Sequence, residues 1–164
     1  MATQAQRQHG LHYMKFLLAH EKQVHYPWND VRTHADDFTF HLTEQAVVRL
    51  LEHGGSIQFD CSQSTYQIWR AMGLHIPYKG PGYTGSMLAT MRHYENPKVA
   101  QIGAACVYGP GTGHHVSLVY EPDPKHGDPL MFSHGREAGP VLVRWSEQRK
   151  QQPAGTTFLS IAHL

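Results

Sequence analysis

Apolar positions recur at helical spacing through the first half of the chain and switch to short extended runs in the second. Leu11, Met14, Leu17 and Leu18 stand at i, i+3, i+6 and i+7 and predict an amphipathic helix over residues 4–24. The stretch Tyr26-Pro27-Trp28-Asn29-Asp30 breaks that pattern, and the residues up to 42 read as an irregular connection. Thr43 is placed to cap a second helix running to His53, which Gly54-Gly55 ends. A third helix is predicted from Asp60 to Gly73, with Thr65, Trp69 and Met72 as its inner stripe. Residues 76–86, rich in Gly and Pro, predict a loop, and 87–94 a short helix. Beyond Pro97 the apolar residues gather in short runs at 99–107, 116–120, 130–133, 141–145 and 157–161, separated by Gly and Pro clusters. Such spacing predicts antiparallel hairpins. Helices first and sheet second give an α+β class, one domain over 1–164 with a helical part to about 96 and a sheet part from about 97.

Composition narrows the function classes. The chain has 164 residues, enough for one cored domain, and a formal charge of +1, which offers no basic footprint for nucleic acid. No apolar run reaches the roughly 18 residues of a membrane span, so no membrane insertion is expected. The N-terminus lacks the apolar core of a signal peptide, which predicts synthesis in the cytoplasm without one. Two cysteines make no disulfide framework. A monomer is expected.

The chemistry concentrates in "FDCSQSTYQIW". Asp60 would cap the third helix and set Cys61 in its first turn, where unpaired N–H groups and the positive end of the helix dipole favour a thiolate. The same N–H groups could stabilise an oxyanion on an attacked carbonyl. A thiol nucleophile needs an imidazole within reach. "GTGHHVSLVY" offers His114 and His115, and "LMFSHG" offers His134; pairing of 116–120 with 130–134 would bring His115 and His134 together. Strand alternation lets only one of His114 and His115 meet the thiol, and the apolar pattern does not choose between them. Cys106, inside "GAACVY", reads as an inert buried strand residue. Three of His114, His115, His126, His134 and Asp128 could form a zinc site, but their spacing matches no zinc motif, so no metal and no cofactor are expected.

"GGSIQFDCSQSTYQIWRAMGLHIP" followed by "HHVSLVY" resembles the NlpC-type cell-wall cysteine peptidases, a branch of the papain-like fold, over roughly residues 54–135. The segment "SHGREAGP" adds a likeness to the peptidase modules of actinobacterial-phage endolysins. The resemblance implies a papain-like α+β fold and a bacteriolytic hydrolase that acts on the bacterial cell wall. It implies Cys61 as nucleophile, His115 as base and His134 as the polar third residue. Asp60, Ser62, Gln63, His114 and Ser133 flank these positions and are expected to contact substrate. The implied substrate is the peptidoglycan stem peptide, cut beside D-glutamate and diaminopimelate. Gln63 replaces the family's glycine, and Gly103-Ala104-Ala105 lacks the acid that usually follows that glycine. An N-acetylmuramoyl-L-alanine amidase using the same residues, and a non-catalytic wall-binding or virion domain, are the alternatives.

Overall fold

The computed structural model describes residues 2–26, 41–79, 83–135, 139–151 and 155–164. The expected break at 27–30, the connection through residue 40 and part of the loop at 76–86 lie outside them. The predicted helices form. The first, α1 (Gln4–Ala19), begins with a capping box in which Thr3 and Gln6 satisfy each other's main-chain N–H. It ends five residues earlier than its pattern suggests, because Glu21–Gln23 tightens into a 3-10 turn and Val24–His25 becomes strand β1. Helix α2 (Glu44–Glu52) is capped by Thr43. Strand β2 (Ile57–Gln58) then pairs in parallel with β1 and leads directly into α3 (Cys61–Ala71).

Antiparallel pairing builds a six-stranded sheet in the order β3-β8-β4-β5-β6-β7. Its members are β3 (His93–Tyr94), β4 (Ala105–Tyr108), β5 (His115–Glu121), β6 (Leu130–Ser133), β7 (Val141–Arg144) and β8 (Thr156–Leu159). The architecture is therefore α+β. The division into helical and sheet halves is less clean than the pattern implies. The short helix lies at α4 (Thr84–Thr90), His93–Tyr94 is an edge strand, and a last helix, α5 (Trp145–Gln151), interrupts the sheet half. The final strand does not extend the meander; it inserts between β3 and β4.

Alternation divides the sheet residues between two faces. Ala105, Val107, Val116, Leu118 and Phe132 pack into the main core with Cys61, Ile68, Trp69 and Met72. Cys106, Tyr108, Val119, Met131 and Phe158 form a second cluster, with Trp145 of α5 packed on it. The inner stripe of α3 is buried as its spacing predicts, and full burial of each large apolar side chain contributes about 2 kcal/mol. Trp69 Nε1 also donates to the Gly103 carbonyl at 2.8 Å, which ties the helix to the start of β4. No described helix is long and apolar enough to cross a membrane.

Candidate active site

Asp60 caps α3 as its position predicts. Its Oδ1 accepts from the Gln63 N–H at 2.7 Å and from Ser62 Oγ at 2.7 Å, while Gln63 Oε1 accepts from the Asp60 N–H at 2.8 Å. This reciprocal box fixes Cys61 as the first helical residue. Ser62 and Gln63 are buried, and Ser62 Oγ and Gln63 Oε1 serve the cap. That use of Gln63 accounts for an amide where the resembling family has glycine.

Cys61 is 7 % exposed. Helix position alone predicts a lowered pKa, but burial and the adjacent Asp60 carboxylate push it up to about 12, although main-chain N–H groups of Val116, Ser62 and Cys61 favour the charged sulfur. The resting sulfur is a neutral thiol. Its proximity to the Val116 N–H also fixes where α3 meets the sheet: at the main chain of β5, one residue after His115.

The turn between β4 and β5 presents the two histidines. Gly109 and Gly113 have φ of 98° and 78°, in the left-handed region, and a Cβ on Gly109 would collide with the His114 ring. His114 is exposed and lies across Gly109. His115 is partly buried on the side of the sheet that carries Tyr108, with ring centroids 5.8 Å apart. There its Nε2 is 3.0 Å from Ser133 Oγ and 3.1 Å from Gln148 Nε2. Gln148 is the centre of a buried network. It donates to Ser133 Oγ at 2.7 Å and accepts from Ser117 Oγ at 2.9 Å, and Ser117 in turn meets the Tyr108 hydroxyl at 3.0 Å. In this orientation the Gln148 amide makes His115 Nε2 an acceptor and places the ring proton on Nδ1. Half a turn of the amide would offer Oε1 to an Nε2–H and leave Nδ1 basic.

His134 does not take the orienting place expected of it. The hairpin forms, but its register pairs Ser117 with Ser133, so position 134 continues opposite Val116 and not opposite His115. The ring is fully buried, 5.7 Å from that of Tyr26, and among the described residues neither nitrogen has a hydrogen-bond partner of good geometry. Burial holds its pKa down at about 4, with the His115 and His25 charges adding to the depression and the His25 main chain opposing it. Ser133, expected at the substrate, is instead wholly buried against His115.

A scan of protein families and a search of curated proteins found no match to this chain. The site therefore stands on its own geometry. Among the described residues no three His, Cys, Asp or Glu side chains group closely enough to hold a metal ion. Asp128, a candidate on the metal reading, accepts from the Ser146 N–H and Oγ at 2.8 and 2.9 Å and so fastens the start of α5. Cys106 is fully buried in the second cluster, as an inert cysteine would be.

Gln148 is the residue that sequence reasoning missed. It lies on a helix with no Ser, Thr, Asp or Asn immediately before it, because its capping oxygens come from Asp128, far upstream. Only the hairpin that delivers Asp128 reveals the helix.

Proposed function

We propose that this chain is a cysteine hydrolase of papain-like architecture that cleaves amide bonds in the stem peptides of bacterial peptidoglycan. The observation that carries the reading is the seat of Cys61: first residue of a boxed helix, set against the β5 main chain at Val116, with main-chain N–H groups from both elements directed at its sulfur. Those N–H groups suit the negative charge that develops when a thiolate adds to a carbonyl. The nature of the substrate rests on the resemblance of the Cys61 and His115 segments to wall peptidases.

The chemistry follows from the resting thiol. Because burial and Asp60 disfavour a standing thiolate, the sulfur loses its proton as it attacks, and the resemblance rather than a contact assigns His115 to receive it: the thiol packs with Val116 on one face of β5, and the His115 ring lies with Tyr108 on the other. In that role His115 Nδ1 would take the proton while Nε2–H is held by Ser133 and by the Gln148 amide in its turned orientation. The imidazolium then protonates the leaving amine as the C–N bond breaks. Water, deprotonated by the same nitrogen, releases the acyl group and restores the thiol. Ser133 and Gln148 replace His134 as the residues that orient the base.

Clearing of a bacterial wall suspension, compared across variants, tests this assignment. Cys61→Ala should abolish it, and His115→Ala should lower the rate by about 2 to 4 orders of magnitude. His134→Gln should retain most of it. Full activity of His115→Ala with loss in His114→Ala or His134→Gln would refute the choice of base.

A further inference from the structure

A group of basic side chains lies at the opposite end of the sheet from Cys61. Cys61 meets β5 at Val116, which pairs with Val107. Across the ladder, Ala105 pairs with Leu118 and Leu159, and just beyond that rung a cavity of about 420 Å³ opens against Ala104 and Ser160. Arg7 of α1, Arg92 after α4, His93 of β3 and His163 near the C-terminus all line it, and among the described residues no Asp or Glu does. Three segments far apart in sequence thus bring basic side chains to one concavity in a chain whose formal charge is only +1, with His93 Nε2 engaged by the Leu88 carbonyl at 2.6 Å.

Among the described residues neither arginine meets a carboxylate; the ion pairs there are His9–Glu44 and His126–Asp123. Arg7 is partly buried and spends Nη1 on the Ile102 carbonyl at 2.9 Å, which anchors its head at the wall and leaves further N–H groups of the fork. Arg92 Nη1 approaches His163 Nε2 at 3.4 Å, so that nitrogen accepts and the His163 ring proton sits on Nδ1 as another donor. A partly desolvated cation without a counter-charge is costly, and an anion from solution would offset that cost.

We propose that this cavity is a second binding site, for a phosphoryl group carried on an organic body, held by Arg7 and Arg92. A planar carboxylate is satisfied by one bidentate arginine, whereas a phosphoryl group offers three or more acceptor oxygens to donors arriving from several directions. The organic body is accommodated by apolar lining: Val99 is 59 % exposed and Ile161 and Tyr94 stand beside the cations. The site does not depend on the cysteine chemistry.

Calorimetric titration with phenyl phosphate, with a short glycerol-phosphate polymer and with benzoate tests it on the intact chain. Phenyl phosphate or the polymer should bind more tightly than benzoate. Tighter binding of the polymer assigns a phosphodiester chain as the natural source, and tighter binding of phenyl phosphate assigns a small monoester. Arg92→Gln should weaken the better probe by about 10- to 100-fold, the loss of a charge-assisted hydrogen bond. Arg7→Lys, which keeps the charge and loses the fork, should weaken it less, and Arg49→Gln on α2 should leave it unchanged. Alkylation of Cys61 should proceed at the same rate in Arg92→Gln and wild type, so failure here is separable from failure of the hydrolase reading. The proposal is overturned if neither phosphoryl probe binds at about 10 mM, if benzoate binds as well, or if Arg92→Gln, folded by circular dichroism, binds like wild type.

Discussion

Replacing Gln148 with leucine removes the residue that joins Ser117, Ser133 and His115 while keeping a side chain of similar length. Three buried contacts disappear. Neither hydroxyl is left wholly alone: Ser117 keeps Tyr108 and Ser133 keeps His115. At about 1 kcal/mol for each lost bond the fold should lose roughly 2 to 3 kcal/mol. For a chain of this size that corresponds to a fall in Tm of about 5–10 °C. The catalytic loss comes from a ring no longer held, and should lower kcat about 10- to 100-fold with KM little changed, because Gln148 is buried and touches no substrate. Gln148→Glu separates orientation from packing. Its carboxylate accepts from His115 Nε2–H and stabilises the imidazolium, so kcat should recover relative to leucine while the limb of the pH–rate profile that reports His115 moves to higher pH. The assays are urea unfolding, kcat and KM on soluble muropeptides, and ¹⁵N shifts of the His115 ring. A Gln148→Leu protein that is destabilised yet keeps wild-type kcat, pH profile and ring shifts would show Gln148 to be a clamp for α5 and not a holder of the base.

Asp60→Asn retains the cap, since asparagine is an equally good N-cap, but removes the charge that helps hold the Cys61 thiol up at about 12. Iodoacetamide should then alkylate Cys61 at least about 5-fold faster at fixed pH, since ~1 kcal/mol is what an adjacent charge is worth even in bulk water and Cys61 is buried; an unchanged rate would exclude Asp60 as a cause. His134 bears on stability in acid. Its folded pKa of about 4 lies below the ordinary 6.5, so its contribution is complete above 6.5 and is lost as pH falls through 4. The shift amounts to roughly 3 kcal/mol, and unfolding free energies at pH 7 and pH 4 should fall less steeply for His134→Gln than for wild type. Equal slopes would remove burial of His134 as a source of acid lability.

The parts legible in the sequence are those whose causes are local. Thr43 and Asp60 cap their helices because each helix start carries its own acceptor, and Trp69 and Met72 are buried because a 3.6-residue period places them on one face. What escaped is set by partners distant in the chain. Helix α5 is capped by Asp128 across the hairpin, and β8 slots between β3 and β4 rather than beside its neighbour in sequence. At the site, the Phe-Asp-Cys-Ser block marked Cys61 correctly as a helix-start residue, yet the helix-dipole argument gave the wrong direction for its thiol, because burial outweighs the N–H groups at the cap. Adjacent His114 and His115 could not be told apart by a strand apolar on both faces; Ser133 and Gln148 distinguish them by taking the Nε2 of His115. The role expected of His134 failed on register. A hairpin predicted by pattern alone leaves its phase open by one residue, and one residue moves an imidazole to the other face.

The most direct test is mass spectrometry of purified peptidoglycan digested by wild type and by Cys61→Ala. A cysteine hydrolase acting on stem peptides predicts fragments with a new free amine and a new carboxylate within the peptide, water-labelled when the digestion is run in H₂¹⁸O, and none with Cys61→Ala. Cleavage at the bond between the sugar lactate and L-alanine would keep the mechanism and change the substrate bond. An unaltered wall with wild-type protein, or the same fragments from Cys61→Ala, would contradict the account.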